Sequence, residues 1–244
     1  MRKIIPCLDM MNGMVVKGVN FVGVKEVGDA VEFAKKYSDD GADELTALDI
    51  FATLEGRKTD LEIIKRIKKV INIPLIIGGG IRNLVDIEDV LTAGADKVGI
   101  NTATIKEKRL IKDAADKFGS QKIVLAVDTK CHAPGRYTVY INGGRDDTGI
   151  DLIDWVKEAE QLGAGELLPT SIDTDGKTGG YDIDLYNLVC NAVKIPVIAS
   201  GGCGCLEDFQ EVFDKTNVSA ALAASVFHFG EFTIKDVKKY LGWV

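Results

Sequence analysis

Pro196-Val-Ile-Ala-Ser-Gly-Gly-Cys-Gly204 is the stretch on which the reading of the chain turns. A short apolar run opened by proline and closed on consecutive glycines predicts a buried strand whose carboxyl end becomes a loop of bare backbone. Glycine lets the main chain approach an oxyanion without a Cβ in the way, so several N–H groups can converge on the same oxygens. That is the chemistry of a phosphate cup. Pro74-Leu-Ile-Ile-Gly-Gly-Gly-Ile81 is a near-copy, and each copy is followed about twenty residues later by a second strand ending in small residues, Asn101-Thr102 and Ala224-Ser225. Two cups, each built from two neighbouring strand ends, predict a ligand with two phosphates or two separate phosphorylated ligands. A lone Gly-Gly pair would be weak evidence, since most are plain tight turns.

The same alternation extends outward in both directions. Apolar runs at 3–8, 44–48, 74–77, 97–100, 123–127, 166–171, 196–199 and 219–223 are separated by helix-like stretches at 30–40, 60–70, 84–93, 107–118, 152–162, 182–192, 206–215 and 234–241. Apolar residues in Ile63-Ile64-Ile67 and Leu152-Ile153-Val156 recur at helical spacing, and Gly41, Gly94, Gly119 and Gly163 close several helical segments. Eight strands alternating with eight helices predict an α/β fold, a single (β/α)8 TIM barrel over residues 1–244.

The halves resemble each other. Gly41-Ala-Asp-Glu-Leu45 is echoed by Gly163-Ala-Gly-Glu-Leu167 and the Pro74 run by the Pro196 run, both at an offset of 122. Asp9 and Asp128, closing the first and fifth strands, repeat at 119. Residues 1 to about 120 and 121–244 therefore read as two half-barrels of four βα units each. Neither half is expected to stand alone, because four open units would leave two unpaired sheet edges. One insertion interrupts the pattern. Arg136-Tyr-Thr-Val-Tyr-Ile141 followed by Asn142-Gly143-Gly144 alternates and then turns, predicting a hairpin over the barrel mouth after strand five.

Composition narrows the function classes. With 46% hydrophobic and 27% charged residues the chain has the make-up of a soluble globule, and a net charge of −7 argues against nucleic acid as a main partner. Ile4 to Leu8 is too short for a signal-peptide core and no apolar run approaches membrane-spanning length, so a cytoplasmic protein with no membrane contact is expected. Cys7, Cys131, Cys190, Cys203 and Cys205 are scattered and odd in number, which predicts free thiols. Cys203-Gly-Cys205 lacks CxxC spacing and only His132 and His228 are available to complete a site, so no metal is expected.

Residues that end the strands of such barrels face the active site. Asp9 and Asp128 would then stand on opposite sides of the mouth as a general acid and base. The other reading for each is a loop cap or a partner for Lys17 or Lys130. Asp49, Asp173 and Asp175 follow the second and sixth strands; Asp175-Gly176 is equally ordinary turn chemistry. Thr170 and Ser171 offer hydroxyls to a ligand or simply finish a strand. Lys17 falls in a glycine-flanked loop where a mobile cation could close over a phosphate, and a plain surface lysine is the alternative. His228, between Phe227 and Phe229, reads as a packed, satisfied histidine.

Ile5-Pro-Cys-Leu-Asp9, Val16-Lys-Gly-Val-Asn-Phe21, Gly78-Gly-Gly-Ile81, Ala95-Asp-Lys-Val98 with Ile100-Asn-Thr102, Phe118-Gly-Ser-Gln121, Ile141-Asn-Gly-Gly-Arg145, Thr170-Ser-Ile-Asp173 and Ala221-Leu-Ala-Ala-Ser-Val-Phe-His228 together resemble the cyclase subunits of imidazole glycerol phosphate synthase. The resemblance runs from end to end. The sister isomerase of histidine biosynthesis shares the duplicated barrel and paired aspartates but not the Val16–Phe21 stretch or the Asn-Gly-Gly-Arg insertion.

The resemblance implies a reaction in which ammonia and a bis-phosphorylated aminoimidazole carboxamide ribonucleotide give imidazole glycerol phosphate and the aminoimidazole carboxamide ribotide, without a cofactor. By the same resemblance Asp9 and Asp128 match the acid and base. Gly80, Asn101 and Thr102 match one phosphate site and Gly202, Ala224 and Ser225 the other, while Lys17, Asp49, Thr170, Asp175 and Ser200 match further substrate contacts. A glutaminase subunit docked at the barrel's N-terminal face is implied, delivering ammonia past a charged gate that here would be Lys3, Glu44, Lys97 and Glu166. Four charges at the N-terminal ends of alternate strands would be expensive to desolvate for stability alone.

Departures from the family pattern are Met11 beside Asp9, Phe51 after Asp49, Lys3 for a usual arginine, Cys203 and Cys205 at the second cup, and Pro169 inside strand six. Met11 and Phe51 have the bulk to narrow the substrate site, and the acid, base and cups are intact. Two alternatives stay open: a divergent or altered barrel with isomerase activity, and a non-catalytic phosphate-binding partner of a glutaminase.

Overall fold

The computed structural model describes residues 2–19 and 22–243; Asn20 and Phe21 of the Val16–Phe21 stretch lie outside the described residues. Strand β1 (Lys3–Met11) is buried from Ile4 to Leu8. Asn12 and Gly13 then reverse the chain at φ 52° and 79°, setting Met11 opposite Met14. Two central residues at positive φ make the hairpin turn whose twist matches the strands it joins. β2 (Met14–Val19) and β3 (Val22–Asp29) complete this hairpin. Lys17 therefore lies in a paired strand opposite Lys25, not in the glycine-flanked loop expected from the sequence. The Asn-Gly dipeptide between apolar residues is the signal that reveals it.

The chain continues through α1 (Ala30–Asp39), β4 (Leu45–Asp49), α2 (Leu61–Lys68), β5 (Leu75–Gly78), α3 (Leu84–Thr92), β6 (Lys97–Ile100), α4 (Thr102–Lys106) and α5 (Arg109–Phe118). Then come β7 (Ile123–Ala133), the expected hairpin β8 (Arg136–Ile141) and β9 (Asp146–Asp151), α6 (Leu152–Leu162), β10 (Glu166–Ser171) and α7 (Ile183–Ala192). β11 (Ile198–Ser200), α8 (Leu206–Lys215), β12 (Ala220–Ala223), α9 (Ser225–His228) and α10 (Ile234–Tyr240) end it. Eight of the strands pair in parallel in the order β1-β4-β5-β6-β7-β10-β11-β12 and close back on β1, forming a (β/α)8 barrel. The eight expected strands are the barrel staves. Helices α4 and α9 are short additions after the fourth and eighth staves that sequence periodicity did not predict, because four or five residues carry too little of a 3.6-residue pattern to detect.

Local sequence fixes the long helices at their starts. Asp29, Asp60, Asn83, Asp151 and Asp182 each accept a first-turn N–H of α1, α2, α3, α6 and α7. Each such cap stabilises its helix by roughly 1 kcal/mol. Side chains alternate along each stave. Ile4 and Leu8 of β1 pack outward against the helices, in a layer that includes Ile64, Ile67, Leu75 and Trp155. Ile5 and Cys7 point into a smaller interior core with Ile76, Val124, Leu168, Ile198 and Leu222. Each fully buried aliphatic side chain in these layers contributes roughly 1.5–3 kcal/mol. The same parity sets Lys3 below that interior core and Asp9 above it.

Candidate active site at the barrel mouth

Both glycine cups open at the carboxyl ends of the staves, on opposite sides of one mouth. The first is built by β5, β6 and the start of α4, where Gly80, Asn101 and Thr102 line a cavity of about 400 Å³. Gly80 has φ 71°, and a Cβ there would come within 2.8 Å of Ala52 Cβ and 3.0 Å of Arg57 O. The second is built by β11, β12 and the start of α9, where Gly202, Ala224 and Ser225 line a cavity of about 120 Å³. Gly202 has φ 104°, and a Cβ there would lie 2.0 Å from Gly180 O. Only glycine fits either position.

Neither α4 nor α9 has a side-chain cap, in contrast to α1, α2, α3, α6 and α7. Their first-turn N–H groups have no intrahelical partner, and both helices begin at a cavity wall. The expected hairpin reaches the first cup: the Asn142 N–H donates to Thr102 Oγ1 at 3.0 Å, and Asn142 and Gly143 line that cavity.

Asp9 and Asp128 rise from the first and fifth staves, and both line the second cavity; Asp128 also borders the first. Asp128 accepts from Asn101 Nδ2 at 3.1 Å. Burial, reinforced by the negative charge of Asp175, pushes its pKa up to about 7, against the opposing donors Asn101 and the Gly144 N–H. Asp9 accepts from Lys17 Nζ at 3.3 Å, with Cys7 Sγ 3.8 Å from its other oxygen. The Lys17 pairing that was the other reading of Asp9 is thus formed, at the mouth. Burial works against the Lys17 charge, but Asp9 and Asp175 outweigh it and hold its pKa above the ordinary lysine value. Burial likewise raises Asp175, with Asp9 adding to the effect and Lys17 and the Gly176 N–H opposing it. Lys17, hairpin-borne, is the cation these carboxylates share.

Thr170, Asp175 and Ser200 line the second cavity beside Asp9 and Lys17. Asp49 differs from them. It borders the first cavity, but its buried carboxylate takes two bonds from Arg57, including Nη2 to Oδ1 at 2.7 Å, and one from the Ala52 N–H at 3.2 Å. Its immediate work is to fold the loop that supports Gly80. Within that loop Thr53 Oγ1 accepts the Gly80 N–H at 3.2 Å. Thr53 and Arg57 carry no motif at sequence level; only the folded loop brings them under the cup. Met11 and Phe51 line neither cavity. His228 is packed as expected, with Nδ1 2.6 Å from Tyr37 Oη, but its buried Nε2 has no partner among the described residues. Burial, aided by the Lys17 charge, lowers its pKa to about 4, so it is neutral at physiological pH.

At the opposite end, Lys3, Glu44, Lys97 and Glu166 form one chain of ion pairs. Lys97 Nζ lies 3.0 Å from Glu44 and 2.6 Å from Glu166, and Lys3 pairs with Glu44. These residues belong to the first, second, fourth and sixth staves rather than to alternate staves, since Lys3 and Glu44 come from neighbours. The Glu44 and Glu166 side chains are only 4% and 8% exposed, so the cluster sits inside the barrel floor.

The profile of the family described as "Histidine biosynthesis protein" matches residues 3–233. The imidazole glycerol phosphate synthase subunit HisF of Clostridium botulinum (strain Okra / Type B1) is 54% identical over 241 residues, covering 98% of this chain and 95% of the relative. That of Lactococcus lactis subsp. cremoris (strain SK11) is 54% identical over 241 residues, with 98% and 93% covered. For Bacillus cereus (strain Q1) the identity is 53% over 240 residues, with 98% and 95% covered. With more than half the residues identical along nearly the full length of each relative, the chain belongs to the histidine biosynthesis protein family, among its HisF subunits of imidazole glycerol phosphate synthase.

Proposed function

We propose that the chain is the cyclase subunit of an imidazole glycerol phosphate synthase. It takes ammonia from a glutaminase partner and converts the bis-phosphorylated ribulosyl aminoimidazole carboxamide ribonucleotide into imidazole glycerol phosphate and the aminoimidazole carboxamide ribotide, a lyase-type reaction. The observation that carries this reading is the crossing of two axes at one mouth. The glycine cups occupy the third–fourth and seventh–eighth staves, and Asp9 and Asp128 occupy the first and fifth. A ligand held by a phosphate at each end would lie with its reacting centre between the two carboxylates.

Addition of ammonia to the ribulosyl ketone needs a proton for the carbonyl oxygen and loses one from the nitrogen. Two carboxylates on opposite faces serve both transfers, and a pKa of about 7 lets Asp128 both give and take a proton near neutral pH. Gly80, Asn101 and Thr102 hold one phosphate and Gly202, Ala224 and Ser225 the other. Lys17, Thr170, Asp175 and Ser200 touch the substrate between them, and Asp49 acts from the rim of the first cup. The two halves of the chain, 1–120 and 121–244, work as one domain, each supplying one aspartate and one cup. The floor cluster of Lys3, Glu44, Lys97 and Glu166 is the ammonia gate, and the glutaminase docks beneath it on the N-terminal face. No cofactor enters this scheme. No helix among the described residues is long and apolar enough to cross a membrane, and a cytoplasmic location fits a pathway of small phosphorylated intermediates.

The test is steady-state turnover of the bis-phosphorylated ribonucleotide with an ammonium salt at mildly alkaline pH, beside Asp9→Asn and Asp128→Asn. Ammonia-dependent turnover that collapses in both variants supports the reading. Binding without consumption would sink it and leave a non-catalytic phosphate-binding partner; consumption without ammonia would point to an isomerase.

A further inference from the structure

Pro169 stands in the middle of a barrel stave, where a ladder donor is missing. On one side β10 loses nothing, because its register with β7 runs unbroken from Glu166↔Val124 to Ser171↔Thr129. The gap falls on the other side. Leu167 N–H donates to Pro196 O, toward β11, and the Pro169 nitrogen two residues on faces the same way. Between β10 and β11 only the isolated bridge Leu167↔Val197 and the pair Thr170↔Ser200 are formed.

A side chain stands beside this gap. Tyr186, fully buried on α7, accepts the Ser200 N–H at 2.8 Å, with Ser200 O at 2.5 Å and Pro169 O at 3.4 Å as acceptors for its own proton. Its ring meets Tyr181 edge-on, and the Tyr181 hydroxyl donates to Leu222 O of β12 at 3.0 Å. Two tyrosines thus brace the two staves that carry the second cup from behind. Ser200 lies at the cavity wall and leads directly into Gly201 and Gly202.

We propose that Tyr186 is a positioning residue for the second cup: its hydroxyl bonds both backbone groups of Ser200 and so fixes Ser200 and the glycines that follow. The assignment of a ligand to this cup rests on the function proposed above, whereas the bracing of Ser200 does not. Phenylalanine at 186 removes the hydroxyl from both Ser200 backbone groups, and at a buried site that is a larger loss than the absence of one exposed bond. An N–H at 169 would be a donor like the Ser200 N–H and could not stand in for the hydroxyl that accepts from it.

The experiment uses Tyr186→Phe and, as a control for loss of a buried hydroxyl behind the same cup, Tyr181→Phe in the full chain. Amide exchange at Ser200 reads the strand geometry. Backbone resonances of Gly202 and Ser225, against Asn101 and Thr102, read inorganic phosphate at each cup. In Tyr186→Phe, Ser200 exchange should accelerate about tenfold and phosphate at the second cup weaken about tenfold, with the first cup unchanged. Tyr181→Phe should leave Ser200 exchange within about threefold of wild type, because its hydroxyl bonds Leu222 O and not Ser200. Equal weakening of both cups, unchanged Ser200 exchange, or equal acceleration in Tyr181→Phe overturns the proposal. If Tyr186→Phe does not fold, 3-fluorotyrosine at 186 keeps the shape and weakens the hydroxyl as an acceptor; a shifted Ser200 amide proton supports the proposal and an unmoved one overturns it. Failure of the wild type to bind phosphate would count against the function of the cup, and Ser200 exchange would still decide the role of the hydroxyl.

Discussion

Asn101 donates Nδ2 to Asp128 Oδ2 at 3.1 Å, so the residue that opens α4 at the first cup also steadies the carboxylate of the fifth stave. Asp175 acts on the same carboxylate in the opposite sense, through its charge. The two neighbours therefore set the proton affinity of Asp128 between them. Asn101→Ala should raise the Asp128 pKa above about 7, and Asp175→Asn should lower it. Carbon-detected titration of the Asp128 carboxyl checks both. Shifts of the same sign in the two variants would show that burial alone governs this group.

Asp128 also links stability to pH. Its pKa rises from the ordinary 3.8 to about 7 on folding, so between these values the folded state holds more protons than the unfolded chain. Stability contributed at this site is present below the lower value and is lost as pH rises through the window. Asp128→Asn escapes that loss. It should be more stable than wild type by about 1–2 kcal/mol at pH 8, after allowance for solvent at the mouth, with the difference vanishing below about pH 4. Urea unfolding at the two pH values is the measurement, and the same variant should have lost turnover.

Arg57 and Asp49 offer a test of how the first cup is built. Removing the guanidinium in Arg57→Ala leaves the Asp49 carboxylate, 7% exposed, without its cation. Loss of one member of a buried pair costs about 3–5 kcal/mol, and the partial exposure of Arg57 brings the expectation to about 2–3 kcal/mol. Because Thr53 on the same loop accepts the Gly80 N–H, phosphate at the first cup should weaken more than at the second. Calorimetric unfolding and cup-resolved phosphate titration read the two effects separately.

Lys97 holds two buried glutamates. In Lys97→Met, Glu44 retains Lys3, whereas Glu166 loses the one cation paired with it among the described residues. The expected loss is about 3 kcal/mol at pH 7, and Lys97→Met with Glu166→Gln should regain part of it. A double variant no more stable than Lys97→Met would mean that Lys97 contributes packing through its methylenes and not charge.

The fold was legible because it rests on local, repeated signals. Eight apolar runs, glycine stops and acidic caps such as Asp60 and Asp151 recur at intervals that only a closed ring of βα units satisfies. The hairpin at 136–151 announced itself through alternation and Asn142-Gly143. The one at 14–29 was equally written in Asn12-Gly13, but the glycines and Lys17 beyond it imitate a loop. Helices α4 and α9 were not legible, since a single turn has no periodicity and forms only where a neighbouring cup receives its uncapped end.

The sequence by itself determined which residues stand at stave ends, because strand parity and the alternation of runs carry Asp9, Asp128, Gly80 and Gly202 to one rim wherever the chain closes. Only the tertiary structure decided what surrounds them. Asp49 proves to be held by Arg57, eight residues away along the loop. Asp128 acquires its raised pKa from burial and from Asp175, in the turn after the sixth stave. Tyr186 braces Ser200 from a helix outside the barrel. Backbone periodicity is a local property that a sequence states directly, whereas desolvation, charge proximity and the satisfaction of an orphaned donor depend on distances that exist only once the ring has closed.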